Sequence, residues 1–162
     1  MSQITPFLWF DSQAEEAANF YVSVFNNSKI VKTMRSGDAG PGPKGSVLTI
    51  EFDLDGERFT ALNGGPMFKF TEAVSFVVHC KDQADVDKYW NALSASGGQE
   101  SQCGWLKDKY GLSWQIVPDV LPKLLTNSDP GKAGRAMQAM MKMRKIDIAT
   151  LEQAAAGVTQ PA

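Results

Sequence analysis

Imidazole is nearly missing from this chain: His79 is the single histidine among 162 residues, and Cys80 and Cys103 are the two cysteines. One histidine cannot make a metal site by itself. Two widely spaced thiols in a chain of this size need no disulfide, so both are read as reduced. No apolar run approaches the roughly 20 residues of a membrane span. The N-terminal "MSQITPFLWFD" has neither the basic lead nor the apolar core of a secretory signal, so a cytoplasmic protein with no membrane partner is expected. A charge imbalance is missing too: 16 Lys and Arg stand against 18 Asp and Glu, a net charge of −2. That gives no global electrostatic footprint for phosphate backbones, and nucleic acid is not an expected partner. What is present, 43% hydrophobic and 21% charged residues, is the composition of an ordinary globular protein.

The chain repeats itself. "FLWFDSQAEEAANFY" pairs with "VVHCKDQADVDKYWN" in a register that sets Ser12 against Asp82 and Trp9 against His79. Each copy reads as a strand followed by a helix. In the first, Ala14, Ala17, Ala18, Tyr21, Val24 and Phe25 fall at helical spacing, and Ser12-x-x-Glu15 has the form of a capping box. In the second, Asp82 caps, Asp85 favours the first turn, and Val86, Tyr89, Trp90 and Leu93 form the buried stripe before Gly97 and Gly98. Short strands follow each helix. "KIVKTMR" leads through the Gly/Pro-rich "SGDAGPGPKGS", read as a mobile loop, to "VLTIEFDLDGERFTALN", where Asp55-Gly56 signals a hairpin. "GQESQ", "GWLKD" and "GLSWQIV" do the same in the second half. The pattern is β-α-β-β-β, twice: an α+β fold of two modules, 1–65 and 66–118, followed by a helical extension, 119–162, all within one structural domain.

In the extension, Ser128 or Asp129 caps and Pro130 occupies the first turn of one or two helices, with a frayed "GVTQPA" at the end. Met137, Met140, Met141 and Met143 read as packing residues in a core or an interface. Lys132, Arg135, Lys142, Arg144 and Lys145 read as a solvated face.

Two tandem modules, with "AEEAANFYVSVF", "ALNGGPMFKFTEAVSF", "SQCGWLKDKYGLSWQIVP" and "AMQAMMKMRKIDIATLEQA" along nearly the whole chain, resemble the vicinal oxygen chelate superfamily of glyoxalase I, bleomycin-resistance proteins and extradiol dioxygenases. The resemblance is to its PhnB-like branch, often labelled a 3-demethylubiquinone-9 3-methyltransferase domain. The residues speak against a methyltransferase. S-adenosylmethionine enzymes usually carry a glycine-rich turn between a first strand and a helix, whereas "GDAGPGPKG" lies between two β-type segments and its prolines lack N–H donors.

The resemblance implies a sheet cup in which enzymes of the superfamily hold a divalent cation through His or Glu of the first and last strands of each module. Gln115 resembles the position of the final Glu, and an amide is a weak ligand. "ITPFLWF" has no His, Asp or Glu, and "RFTALN" presents Thr60, Leu62 or Asn63. His79 falls later in its strand than the family's usual ligand, which would lie nearer Ser75, and reads as a hydrogen-bonded surface residue. Glu51, Asp53 and Glu57 read as solvated. Cys103, with no His or Asn partner nearby in sequence, reads as packing.

What remains suits binding. Trp9, Asn63, Phe76, Trp105 and Gln115 are the candidate ligand-binding residues, aromatics for area and amides for orientation. Strand alternation puts Trp114 and Gln115 on opposite faces. The expectation is a homodimer without metal or other cofactor, binding an unidentified small organic molecule in the cup. No complete metal or acid–base constellation marks it as an enzyme; if it is one, it belongs with glyoxalases and dioxygenases. The alternatives are a metal-dependent lyase, isomerase or dioxygenase using Gln115, His79 and water, a drug-sequestering resistance protein, and the disfavoured methyltransferase.

Overall fold

A computed structural model describes residues 2–158. The chain forms two compact units, Met1–Phe70 and Thr71–Ala162. The first carries β1 (Phe7–Phe10), α1 (Ala14–Val24), β2 (Lys29–Arg35), β3 (Val47–Leu54) and β4 (Glu57–Asn63). The second carries β5 (Ser75–Cys80), α2 (Gln83–Ser94), β6 (Gln99–Glu100), β7 (Trp105–Lys107), β8 (Ser113–Pro118), and the helices α3 (Val120–Leu125), α4 (Pro130–Met140) and α5 (Ile148–Ala156). Both sheets have the same plan: β1-β4-β3-β2 and β5-β8-β7-β6, each with a parallel first pair and antiparallel remainder.

Alternation sets the faces. In the first sheet Leu8, Phe10, Ile50, Phe52, Phe59 and Ala61 are buried on the side of α1, whose Ala14, Ala17, Ala18, Tyr21 and Val24 complete that core. In the second, Val78, Cys80, Leu106, Trp114 and Ile116 are buried on the side of α2 with Val86, Trp90 and Leu93. Tyr89, expected in the stripe, is partly exposed, with the Lys88 ammonium 4.8 Å from its ring centre. Asp55 and Gly56 take φ of 48° and 84° between the paired Leu54 and Glu57, the two-residue turn that fits the twist of a hairpin.

The first helix is not capped as the sequence suggests. Gln13 occupies the N-cap position without a side-chain bond to the helix, and the Ser12 hydroxyl does not cap it. The first free N–H, that of Ala14, donates instead to Asn63 Oδ1 at 2.8 Å, while Asn63 Nδ2 donates to the Val47 carbonyl at 3.1 Å. A strand residue caps the helix because the parallel pairing of Phe10 with Asn63 brings the end of β4 beside its start. In the second unit Asp82 does cap, accepting from Asp85 N at 2.9 Å.

The loop between β2 and β3 is folded on itself. Ser36 is buried; its N–H donates to Ser46 O, its carbonyl accepts from Gly45 N, and its hydroxyl donates to Pro41 O.

The extension forms a small core of Leu121, Ile146 and Leu151, packed by Val117, Leu124, Leu125, Ala139, Met140 and Met143. Met140 and Met143 thus fill an intrachain core, whereas Met137 and Met141 remain exposed. Asp129 caps α4, accepting from Gly131 N and Lys132 N. Arg135, far from being only a solvated charge, donates to the Ala154 and Ala155 carbonyls at the end of α5. The short α3 carries Pro122 inside its first turn, where the missing N–H costs nothing. Of the tail expected to fray, Gly157 caps α5 at a φ of 80°, and residues 159–162 lie outside the described residues.

Candidate functional site

In the second unit, one sheet face packs against α2 and the other is open in part, with Val117 packed against the extension and Ser113 buried. The open face carries Ser75, Val77 and His79 of β5, Ser113, Gln115 and Val117 of β8, and Trp105 and Lys107 of β7. Register makes Val77, Gln115 and Trp105 one row across three strands, and Ser75, Ser113 and Lys107 the next. Gln115 Nε2 donates to Ser75 Oγ at 2.9 Å, which fixes the amide and aims its carbonyl oxygen away from that bond. Lys107 Nζ pairs with Glu72 Oε1, and this hydrogen bond holds the Glu72 carboxyl below the usual carboxylate range.

The structure brings Trp105 and Gln115 together and separates the other candidates from them. Phe76 stands on the α2 side, its ring 5.7 Å from that of Trp114. Asn63 faces α1, with both ends of its amide engaged in the cap described above. Trp9 lies on the open face of the first sheet, in one row with Leu62 and Thr49. Its indole N–H donates to Gly65 O at 2.9 Å, and its ring meets Phe68 edge-on at 4.9 Å. Gly64 must be glycine here, because a Cβ would come within 2.3 Å of the Trp9 ring.

Two rows from Trp9 on the same face, Arg58 donates to Asp53 at 2.5 Å and to Glu51, of the row between, at 3.3 Å. These carboxylates, expected to be merely solvated, form a bridged set. The hydrogen bond that Arg58 donates to Asp53 raises the Arg58 pKa, opposed by desolvation.

Sequence reasoning passed over Asp108. Its buried carboxylate accepts from Tyr110 N at 2.8 Å, Leu112 N at 3.1 Å and Trp114 Nε1 at 2.9 Å, shaping the turn that delivers β8. It also passed over Ser113 and Lys107, which the period of two from Gln115 and the pairing of adjacent strands would have exposed.

The residues at the superfamily's metal positions do not fit a divalent cation. On the second sheet they are an amide and a hydroxyl bonded to each other, and the first strand offers no His, Asp or Glu. His79 is exposed and pairs in register with Val117. Among the described residues no group of three or more His, Cys, Asp or Glu side chains is placed to hold a metal ion. The thiols add no nucleophile of evident use: burial pushes Cys80 up to about 12, with Asp85 and other carboxylates adding to the shift, so the thiol stays protonated. Cys103 sits at a φ of 59°, in a turn held by its N–H donating to Met143 O.

A family model described as 3-demethylubiquinone-9 3-methyltransferase matches residues 2–117. Among solved structures, a PhnB protein of Bacillus cereus carrying the same methyltransferase description is 36% identical, with a TM-score of 0.66 over 72% of this chain and 99% of that one. A Pseudomonas aeruginosa protein at 19% identity has a TM-score of 0.60, covering 73% of this chain and 98% of its own. The fosfomycin resistance protein FosX of Listeria monocytogenes, at 13% identity, has a TM-score of 0.56 over 78% and 98%. The last two share the fold alone. No curated protein sequence matches.

Proposed function

The chain belongs to the 3-demethylubiquinone-9 3-methyltransferase family, the PhnB-like branch of the vicinal oxygen chelate fold, and from that premise we propose that it binds a small organic molecule on the open face of its second sheet without a metal ion. One observation carries the reading: Trp105 and Gln115 are neighbours in register, both partly exposed on the face away from α2, the indole supplying flat apolar area and the amide, held by Ser75, supplying a directed carbonyl oxygen. The ligand's stacking area and its orientation are thus provided by rigid strands rather than loops.

The methyltransferase description finds no support in the connections. The β1–α1 link, "DSQ", and the β5–α2 link, "KD", contain no glycine. A dinucleotide-like or S-adenosylmethionine cradle needs close backbone approach at such a turn. The glycine-rich segment joins the antiparallel β2 and β3 instead.

Native mass spectrometry of freshly purified protein, read with and without Gln115→Leu and Trp105→Ala, tests the proposal. The expected result is a retained organic mass that both substitutions remove. A stoichiometric divalent ion that depends on Gln115 would overturn it in favour of a metal enzyme. S-adenosylmethionine is expected to leave the melting temperature unchanged.

A further inference from the structure

Among the described residues, one buried side-chain polar atom has no partner, and it stands on the face of the second sheet away from α2. Ser113 is fully buried, and its Oγ makes no hydrogen bond. Buried hydroxyls are nearly always paired, because leaving one unmade forfeits its interaction with water. Alanine would fill the same space without that penalty, so the hydroxyl calls for a function.

Its surroundings suggest one. Ser75, Ser113 and Lys107 stand in one row on β5, β8 and β7. Lys107 pairs with Glu72, three residues ahead of Ser75 in the chain. β8 lies between β7 and β5, so this ion pair joins β7 to the segment that leads into β5, on either side of the strand that carries Ser113. Ser75 Oγ accepts from Gln115, which leaves its own proton to donate. Two hydroxyls and an ammonium therefore share one row, and the acceptor now paired with the ammonium is the carboxylate of Glu72, a side chain 59% exposed and attached outside the strands. Donors so arranged suit an anion with two oxygens, and charge-assisted bonds of this kind are the strong ones. In the adjoining row, Trp105 offers a flat surface to whatever carries that anion.

We propose that Ser75, Ser113 and Lys107 recognise the carboxylate of a small aromatic carboxylic acid, and that the Glu72 carboxylate holds its place until such a ligand displaces it. This rests on the reading that the Trp105 and Gln115 face is the binding face. Displaced, Glu72 moves into solvent, which it already half occupies, and Lys107 exchanges one carboxylate for another. No net charge is buried in the exchange. Because a tethered competitor acts at high effective concentration, its removal strengthens the ligand.

The test is titration of the full chain with benzoate and with its neutral isostere benzamide, followed by the NMR signal of the Trp105 indole N–H. Benzoate is expected to shift that signal at lower concentration than benzamide. Glu72→Gln is expected to tighten benzoate by about tenfold and leave benzamide unchanged, while Lys107→Met and Ser113→Ala each weaken benzoate by about tenfold, the worth of one charge-assisted hydrogen bond. Ser113→Ala removes an unpaired polar atom, so its melting temperature should hold, which separates lost recognition from lost folding. Benzamide binding as tightly as benzoate, with no response to Glu72→Gln, would overturn the carboxylate assignment and leave the binding face standing. If neither probe moves the Trp105 signal in the wild type or in Glu72→Gln, both readings fall.

Discussion

At the scale of single residues, the polar groups that look available in the sequence divide into those that build and those that face outward. Asp108 builds. Three N–H donors, two from the backbone and the Trp114 indole, converge on one carboxylate that is 2% exposed. Replacing it by alanine leaves those donors unpaired inside the protein. Asp108→Ala is therefore expected to lower stability by about 3 kcal/mol, read from urea denaturation. Trp114→Phe, which removes one donor and keeps the carboxylate bonded to the backbone, is expected to cost less. Asn63 also builds, joining Ala14 and Val47, and an amide with both ends occupied has little left for a ligand. Gln115 differs from it by a single fact: among the described residues its side chain bonds to another side chain of the same face, Ser75. Two amides on strands look alike in a sequence, and the face on which each stands separates them.

At the scale of elements, the extension is joined to α2 by side-chain contacts that no local pattern displays. Gln83 Oε1 accepts from Ile148 N at 2.9 Å, and Gln83 Nε2 donates to Ile146 O at 3.0 Å, so one glutamine in the first turn of α2 brackets the start of α5. Nearby, Cys103 N and Gly104 N donate to the carbonyls of Met143 and Arg144. Gly104 has a φ of 84°, and a Cβ there would lie 2.9 Å from Ile116 O and 3.1 Å from Ile146, so the link between α4 and α5 packs on bare backbone. Lys145 closes the joint by pairing with Asp87 at 2.8 Å. Hydrogen bonds, from Lys145 first and then from Gln83, hold the Asp87 carboxyl below its ordinary value. A carboxyl depressed in the folded state contributes stability above its ordinary value and loses that contribution as pH falls through the lower, folded one. Lys145→Met is therefore expected to move the NMR titration midpoint of Asp87 upward and to reduce the acid sensitivity of the extension. The overall stability change stays within about 1 kcal/mol, because both side chains are more than a third exposed and screened.

At the scale of the whole molecule, each unit leaves apolar residues uncovered: Ile4, Phe7, Met67 and Phe68 in the first, Val74, Val77, Met137 and Met141 in the second. This is apolar surface available to a second copy of the chain. A homodimer that covers part of it is expected from light scattering, with Phe7→Glu or Met141→Glu shifting the mass toward the monomer according to which patch is shared. Among the described residues no helix is long and apolar enough to cross a membrane.

The sequence by itself determined the repeated β-α-β-β-β plan, the Asp55-Gly56 turn, the Asp82 cap and the opposition of Trp114 to Gln115. All of these follow from periods of two and 3.6, or from the backbone demands of one or two residues. The family was legible for the same reason, since its motifs are contiguous. Only the tertiary structure decided which candidates share a face. It moved Phe76 to the helix side, turned Asn63 from ligand contact into the cap of α1, and set Ser113 beside Ser75 and Lys107. Those outcomes depend on the register between strands distant in sequence, and a shift of one residue reverses every side chain. A pattern along one chain carries no record of that register until its partner strand is in place.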